Sequence, residues 1–166
     1  MSDLLSSIYF HGTRHAELSE LDPTHSDASH PFGKAVYLSR DKSVARRYVR
    51  DQGNVYQVQL KGNPALTINL DAAFIHQSIQ AREIIRKIII LPAQAQRDPR
   101  ITARELIDDH DLGDHSRMTA RLLDAGIWLI YGTLAPDESS GAIDAGVQYA
   151  VLHREHLAIT GVAPQP

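Results

Sequence analysis

Strand-like segments gather at the two ends of this chain, and helix-like segments fill its middle. That order points to an α+β fold and away from repeated βαβ units, in which strands and helices alternate. The first strands are expected at Ile8–Phe10, Ala35–Ser39, Asn54–Leu60 and Leu66–Leu70. Asn54–Leu60 is the clearest: Val55, Gln57 and Gln59 alternate with Tyr56, Val58 and Leu60 at the period of two that sends successive side chains to opposite faces. The last strands are expected at Ile127–Tyr131, Val147–Leu152 and Leu157–Val162. Between them, Asp71 is expected to cap a long helix reaching Ile90, and Leu91–Pro99 to break it. Two more helices follow at Ile101–Asp109 and Ser116–Asp124, the second closed by Gly126 as a left-handed cap. An earlier helix over Asp41–Asp51 would place Val44, Ala45, Tyr48 and Val49 on one face. Arg14–Leu21 reads as a helical turn packing Leu18 and Leu21, and Asp22–Pro31 and Leu134–Ala145 read as loops.

With 166 residues, 43% apolar and 22% charged, the chain has the length and composition for one domain over residues 1–166 with its own core. No apolar run, Ile88–Leu91 and Ile127–Tyr131 included, approaches the roughly 18–20 residues of a membrane span. Met1–Leu5 has neither a basic region nor a long apolar stretch, so no signal peptide is expected there. A cytoplasmic protein, or an effector delivered into a target cell's cytoplasm, is the expectation. The absence of Cys excludes disulfides, thiolate metal sites and a thiol nucleophile. A net charge of −3 gives no global attraction to nucleic acid. The charge is uneven: Arg82, Arg86, Lys87, Arg97, Arg100 and Arg104 precede Glu105, Asp108, Asp109, Asp111 and Asp114. This is either a solvated helical surface or a basic patch for a phosphate-bearing substrate beside an acidic face.

Two motifs carry the chemistry. Ile8-Tyr9-Phe10-His11-Gly12-Thr13-Arg14 ends a strand in a histidine and a flexible Gly-Thr. Gly33-Lys34-Ala35-Val36-Tyr37-Leu38 puts a tyrosine in a strand, and Ser43, Ala45 and Tyr48 lie in the helix that follows, capped by Ser39 or Asp41. A His and a Tyr brought together from two strands, with glycine backbone nearby, suit a flat aromatic amide and its sugar, the nicotinamide half of NAD.

In their order and strand-end placement these motifs resemble the ADP-ribosyltransferase superfamily, in the His-Tyr-Glu branch of diphtheria-toxin-like and poly(ADP-ribose) polymerase-like enzymes. The resemblance implies an α+β fold of split β-sheets flanking an NAD cleft, with a helical middle segment. It implies NAD as co-substrate, cleavage of the nicotinamide–ribose bond and transfer of ADP-ribose to a protein, nucleic-acid or small-molecule acceptor. His11 would bond the adenosine-side ribose and the Gly12 backbone the nicotinamide carboxamide, because a glycine lets a ligand approach the main chain. Thr13 would flank them, and Arg14 would reach toward phosphate or adenine. Tyr37 and Tyr48 would flank the nicotinamide, whose cationic ring favours an aromatic face. Ser43, or Ser39 in second place, would bond the carboxamide oxygen.

The family's acid opens a strand that Val147–Leu152 matches, and Gln148 stands at the acid's position. The acid would bind the ribose 2′-hydroxyl and stabilise an oxocarbenium-like transition state. Gln148 supplies the hydrogen bond without the charge, so Asp71 is the reserve acid, with Asp144 and Glu155 behind it. A catalytically silent NAD- or ADP-ribose-binding module and a tRNA 2′-phosphotransferase are the alternatives on the same fold. No metal is expected. His11 and His15 at i,i+4 and the Asp109–His115 segment are the rival ligand sets, but the first contains Gly12 and lacks the acid of zinc-protease helices, and the second reads as a solvated helix end.

Overall fold

The computed structural model describes residues 3–26, 32–50, 52–111, 115–133 and 146–163, the side chains of 108–111, 115 and 116 excepted. Its elements, in chain order, are α1 (Asp3–Ser6), β1 (Ile8–Thr13), β2 (Val36–Ser39), α2 (Lys42–Arg46), β3 (Asn54–Leu60), β4 (Thr67–Asn69), α3 (Ile79–Ile88), α4 (Ala103–Asp111), α5 (His115–Asp124), β5 (Leu129–Thr133), β6 (Val147–Val151) and β7 (Leu157–Val162). The fold is α+β. Of the loops expected from sequence, 27–31 and 134–145 lie outside the described residues.

All seven described strands join one mixed sheet in the order β4-β5-β6-β2-β1-β3-β7. Only β4 and β5 run parallel. The expected pair of small sheets is therefore one sheet, but its two halves meet narrowly. β1 and β3 pair from Ile8↔Gln59 to Thr13↔Asn54, whereas β1 and β2 register only at Phe10↔Ser39. That junction, between β4-β5-β6-β2 and β1-β3-β7, is a seam through the sheet.

The two faces treat the seam differently. One core cluster runs across it, joining Tyr9, Tyr56 and Val58 of one half to Leu38, Tyr149 and Val151 of the other, under Leu4, Leu21 and Trp128. On the opposite face, Ile85, Leu106 and Leu122 from α3, α4 and α5 bury Ile68, Ile130 and Ala150 of the outer half. Each such Leu or Ile side chain contributes roughly 1.5–3 kcal/mol on full burial. The β1-β3-β7 half has on that face a smaller cluster, Ala45 of α2 with Val55 and Ala163, flanked by Phe10 and Val49.

Several boundaries differ from expectation. α2 stops at Arg46 because the next turn tightens to i→i+3 bonds, Tyr48 N–H to Ala45 O at 3.1 Å and Val49 N–H to Arg46 O at 3.1 Å. Tyr48 consequently leaves the buried face and is 52% exposed. The long helix from Asp71 does not form. A 3-10 turn at Phe74–His76 comes first, and buried Gln77 ties it to β4 by accepting Asn69 N–H at 3.1 Å and donating to Asn69 O at 2.7 Å. α3 then starts at Ile79, capped by Ser78, whose Oγ accepts Ala81 N–H at 3.0 Å. β5 begins two residues later than expected, at Leu129. Arg14–Leu21 forms no helical turn, though Leu18 and Leu21 do pack into the core. Gly126 takes the left-handed conformation its position after α5 calls for, with φ 99°.

Candidate functional site

The seam is crossed by a register row that runs Gly132 (β5), Gln148 (β6), Ser39 (β2), Phe10 (β1), Gln57 (β3). Directly paired residues project to the same face, so Gln148 and Ser39 share the face carrying α2 and α3–α5. Beyond Phe10↔Ser39 the two central strands have no further register pair, and His11 lies at this opening.

The His11 imidazole reaches across to β2, where its Nδ1 lies 2.9 Å from the Tyr37 carbonyl oxygen. A carbonyl only accepts, so Nδ1 carries the proton. Burial holds the His11 pKa below its ordinary value, against the opposing bond to Tyr37. The ring is therefore neutral at pH 7, and Nε2 is left as an acceptor. Two strand residues past Tyr37, about 7 Å along β2, Ser39 pairs with Gln148. His11 and Gln148 thus both adjoin β2, but His11 follows Phe10 along β1 and projects with Tyr9 and Tyr56 to the face opposite Gln148.

Gln148 is 4% exposed, and its side-chain nitrogen is buried with no hydrogen-bond partner among the described residues. A buried unsatisfied donor costs roughly 1–3 kcal/mol, so this group calls for an explanation. Ser39, also buried, accepts Asp41 N–H on its Oγ at 3.0 Å.

The Tyr37 hydroxyl serves the turn before β2. It accepts Phe32 N–H at 2.9 Å and donates to Gly33 O at 3.1 Å, with Gly33 at φ 63°. Burial raises its pKa despite the opposing Phe32 bond, so the phenol stays protonated.

The glycine of the first motif has a structural reason to be there. A Cβ on Gly12 would lie 1.7 Å from Ala45 O, so the backbone that approaches Gly12 closely is that of α2. The same carbonyl accepts Tyr48 N–H at 3.1 Å, which brings the exposed Tyr48 into this neighbourhood. Asp41 caps α2 by accepting Ser43 N–H at 2.7 Å, leaving Ser43 at the exposed start of the helix. Thr13 Oγ1 accepts His15 N–H at 3.3 Å, and Arg14 is exposed.

Asp71 caps no helix. Its Oδ1 accepts from Arg104 Nη2 at 2.7 Å and its Oδ2 from Thr133 N–H at 2.6 Å. Arg104 Nη2 also donates to Thr133 O at 2.5 Å. Partial burial raises the Asp71 pKa, but the Arg104 and Thr133 hydrogen bonds outweigh it and the net shift is downward. The pair lies over Gly132: a Cβ there would sit 2.9 Å from Arg104 Nη2 and 3.1 Å from Asp71 Oδ1. Asp71 is therefore one strand from Gln148, with both carboxylate oxygens engaged. The other reserve acids are not at the seam. Glu155 lies past the far end of β6, beside His156 Nε2 at 3.3 Å. Asp144 and Asp114 lie outside the described residues, as do the side chains of Asp109, His110, Asp111 and His115. β1 extends through Thr13, so the helical i,i+4 relation does not apply to His11 and His15. Within the basic segment, Arg100 pairs with Asp98 and Arg104 with Asp71. Sequence reasoning placed Arg104 only in that segment, since its partner lies 33 residues away.

Against known proteins, no family model matches this chain, and no curated protein or solved structure matches it.

Proposed function

We propose that this chain is an NAD-dependent ADP-ribosyltransferase whose seam holds the nicotinamide riboside of NAD. The observation that carries this reading is the buried donor on Gln148, which among the described residues has no hydrogen-bond partner and pairs in register with Ser39 at the seam. A ribose hydroxyl is an acceptor for such a donor. The exposed Tyr48 ring near Gly12 offers a face to the pyridinium.

In the reaction, the bond between ribose C1′ and the pyridinium nitrogen breaks, and its electron pair neutralises the departing nicotinamide. A lone pair on the acceptor forms the new bond to C1′, and the acceptor's proton passes to water. The protein contributes orientation and hydrogen bonding. Gln148 offers no negative charge to the developing cation, and loss of one such oriented electrostatic contact costs about 2.7–4 kcal/mol, roughly 10²–10³ in rate. Turnover is accordingly slow.

One observation favours the second reading, a silent NAD- or ADP-ribose-binding module: Gln148 is uncharged and Asp71 is tied to Arg104 and Thr133. A single experiment separates the two. NAD raises the melting temperature of the wild type by mass action, and His11→Ala weakens that rise. Nicotinamide release from NAD is then measured for wild type and Gln148→Glu. Release that increases in the variant supports the transferase. Retained NAD binding with no release in either protein supports the module. No thermal response to NAD, ADP-ribose or nicotinamide at millimolar concentration rejects both.

A further inference from the structure

The register row brings a cation, Arg104, beside the cross-strand partner of Gln148. Its Nη2 is 2.9 Å from where a Gly132 Cβ would stand, and Gly132 is the cross-strand partner of Gln148. The missing side chain at Gly132 is what lets the guanidinium lie on the strand there. Nη2 is used by Asp71 Oδ1 and the Thr133 carbonyl, which fix the plane of the group. Among the described residues the remaining N–H groups, on Nε and Nη1, have no acceptor, and the side chain is 30% exposed. A half-buried guanidinium fixed by two protein oxygens, with donors to spare, is suited to take an oxyanion.

The position of that site relative to the seam gives it a role. On the reading above, which this inference rests on, NAD lies over β1 and β2 and its reacting ribose sits at Gln148 on β6. β5 flanks Gln148 on the other side. An incoming nucleophile approaches C1′ from the side away from the departing nicotinamide, which is the β5 side. We propose that Arg104 is an oxyanion-binding residue of the acceptor subsite, and that the acceptor carries a phosphate close to its nucleophile. Asp71 is then the positioning residue of that guanidinium, which explains why its carboxylate faces Arg104 and not the ribose.

The test uses the whole chain with inorganic phosphate as the probe, chloride at matched ionic strength as the control, and NAD in parallel. Wild type is stabilised by phosphate. Arg104→Gln weakens the apparent phosphate affinity roughly tenfold or more, the scale of a charge-assisted hydrogen bond, and Arg104→Lys keeps an intermediate affinity. The NAD-induced rise in melting temperature is the same in all three. Because each variant is compared with its own chloride control, a general loss of stability does not imitate the effect. The proposal is overturned if phosphate does not stabilise wild type, or if Arg104→Gln responds to phosphate as wild type does. It is also overturned if Arg104→Gln loses the NAD response, since Arg104 would then belong to the NAD half. An Arg104-dependent phosphate response without any NAD response retains the oxyanion site and rejects the NAD reading.

Discussion

The two halves of the sheet are built to different thicknesses on one face, and the difference locates the site. The β4-β5-β6-β2 half is covered there by three helices and a large apolar cluster. Among the described residues the β1-β3-β7 half carries the single-turn α2 and a smaller cluster of Ala45, Val55 and Ala163 flanked by Phe10 and Val49. On the other face one core runs unbroken across both halves. The sheet is thus stitched on one face and interrupted on the other, and Ser39 and Gln148 lie on the interrupted face. A seam between a thick and a thin layer leaves unsatisfied polar groups where a continuous core would exclude them.

The contrast predicts a ranking of stability effects. Phe74 is fully buried in the thick half, and Phe74→Ala should cost about 3–5 kcal/mol. Val55→Ala in the thin half removes two methyl groups and should cost about 1.5 kcal/mol. Urea unfolding measures both, and equal losses would break the comparison. Gly12→Ala drives a methyl into the Ala45 carbonyl, a backbone atom that cannot swing away. It should cost about 1–3 kcal/mol and raise hydrogen exchange in α2 and β1 while α3–α5 keep their protection.

A smaller effect of opposite sign is expected at Gln148. Replacing it with Leu removes the orphaned donor, so the ligand-free protein should gain about 1 kcal/mol while losing its NAD response. A loss of stability would mean that the amide has a partner. The smallest effect is the pH dependence from His11. Its folded pKa is lowered by burial, so below the unfolded value of about 6.5 the unfolded chain takes up a proton that the folded chain refuses. Stability therefore falls as pH drops below about 6.5, and His11→Gln should flatten that slope in denaturation midpoints measured from pH 7.5 to 5.

What is legible in the sequence follows the range of the interactions involved. β3 is legible because its alternation is a local record of two faces, both of which the sheet realises. Gly126 is legible because a left-handed cap depends on its own backbone. The helix expected from Asp71 fails because Gln77 bonds back to Asn69 and Asp71 bonds to residues 33 and 62 positions away, contacts that no local pattern encodes. At the site, the meeting of the His11 and Tyr37 strands follows from the two motifs, and the structure realises it through a side chain and a carbonyl. The placement of Gln148 against Ser39, and of Arg104 over Gly132, depends on strand order and register, which the motifs do not contain.

The central claim is that the buried Gln148 amide is a ligand donor left waiting at the seam. Its side-chain NH2 signals can be observed in a ¹H–¹⁵N spectrum and assigned by their disappearance in Gln148→Leu. The account predicts that saturating NAD or ADP-ribose shifts these protons downfield and slows their exchange, as the amide gains a hydroxyl acceptor. Unmoved Gln148 side-chain signals, in a protein whose other resonances report NAD binding, would contradict it.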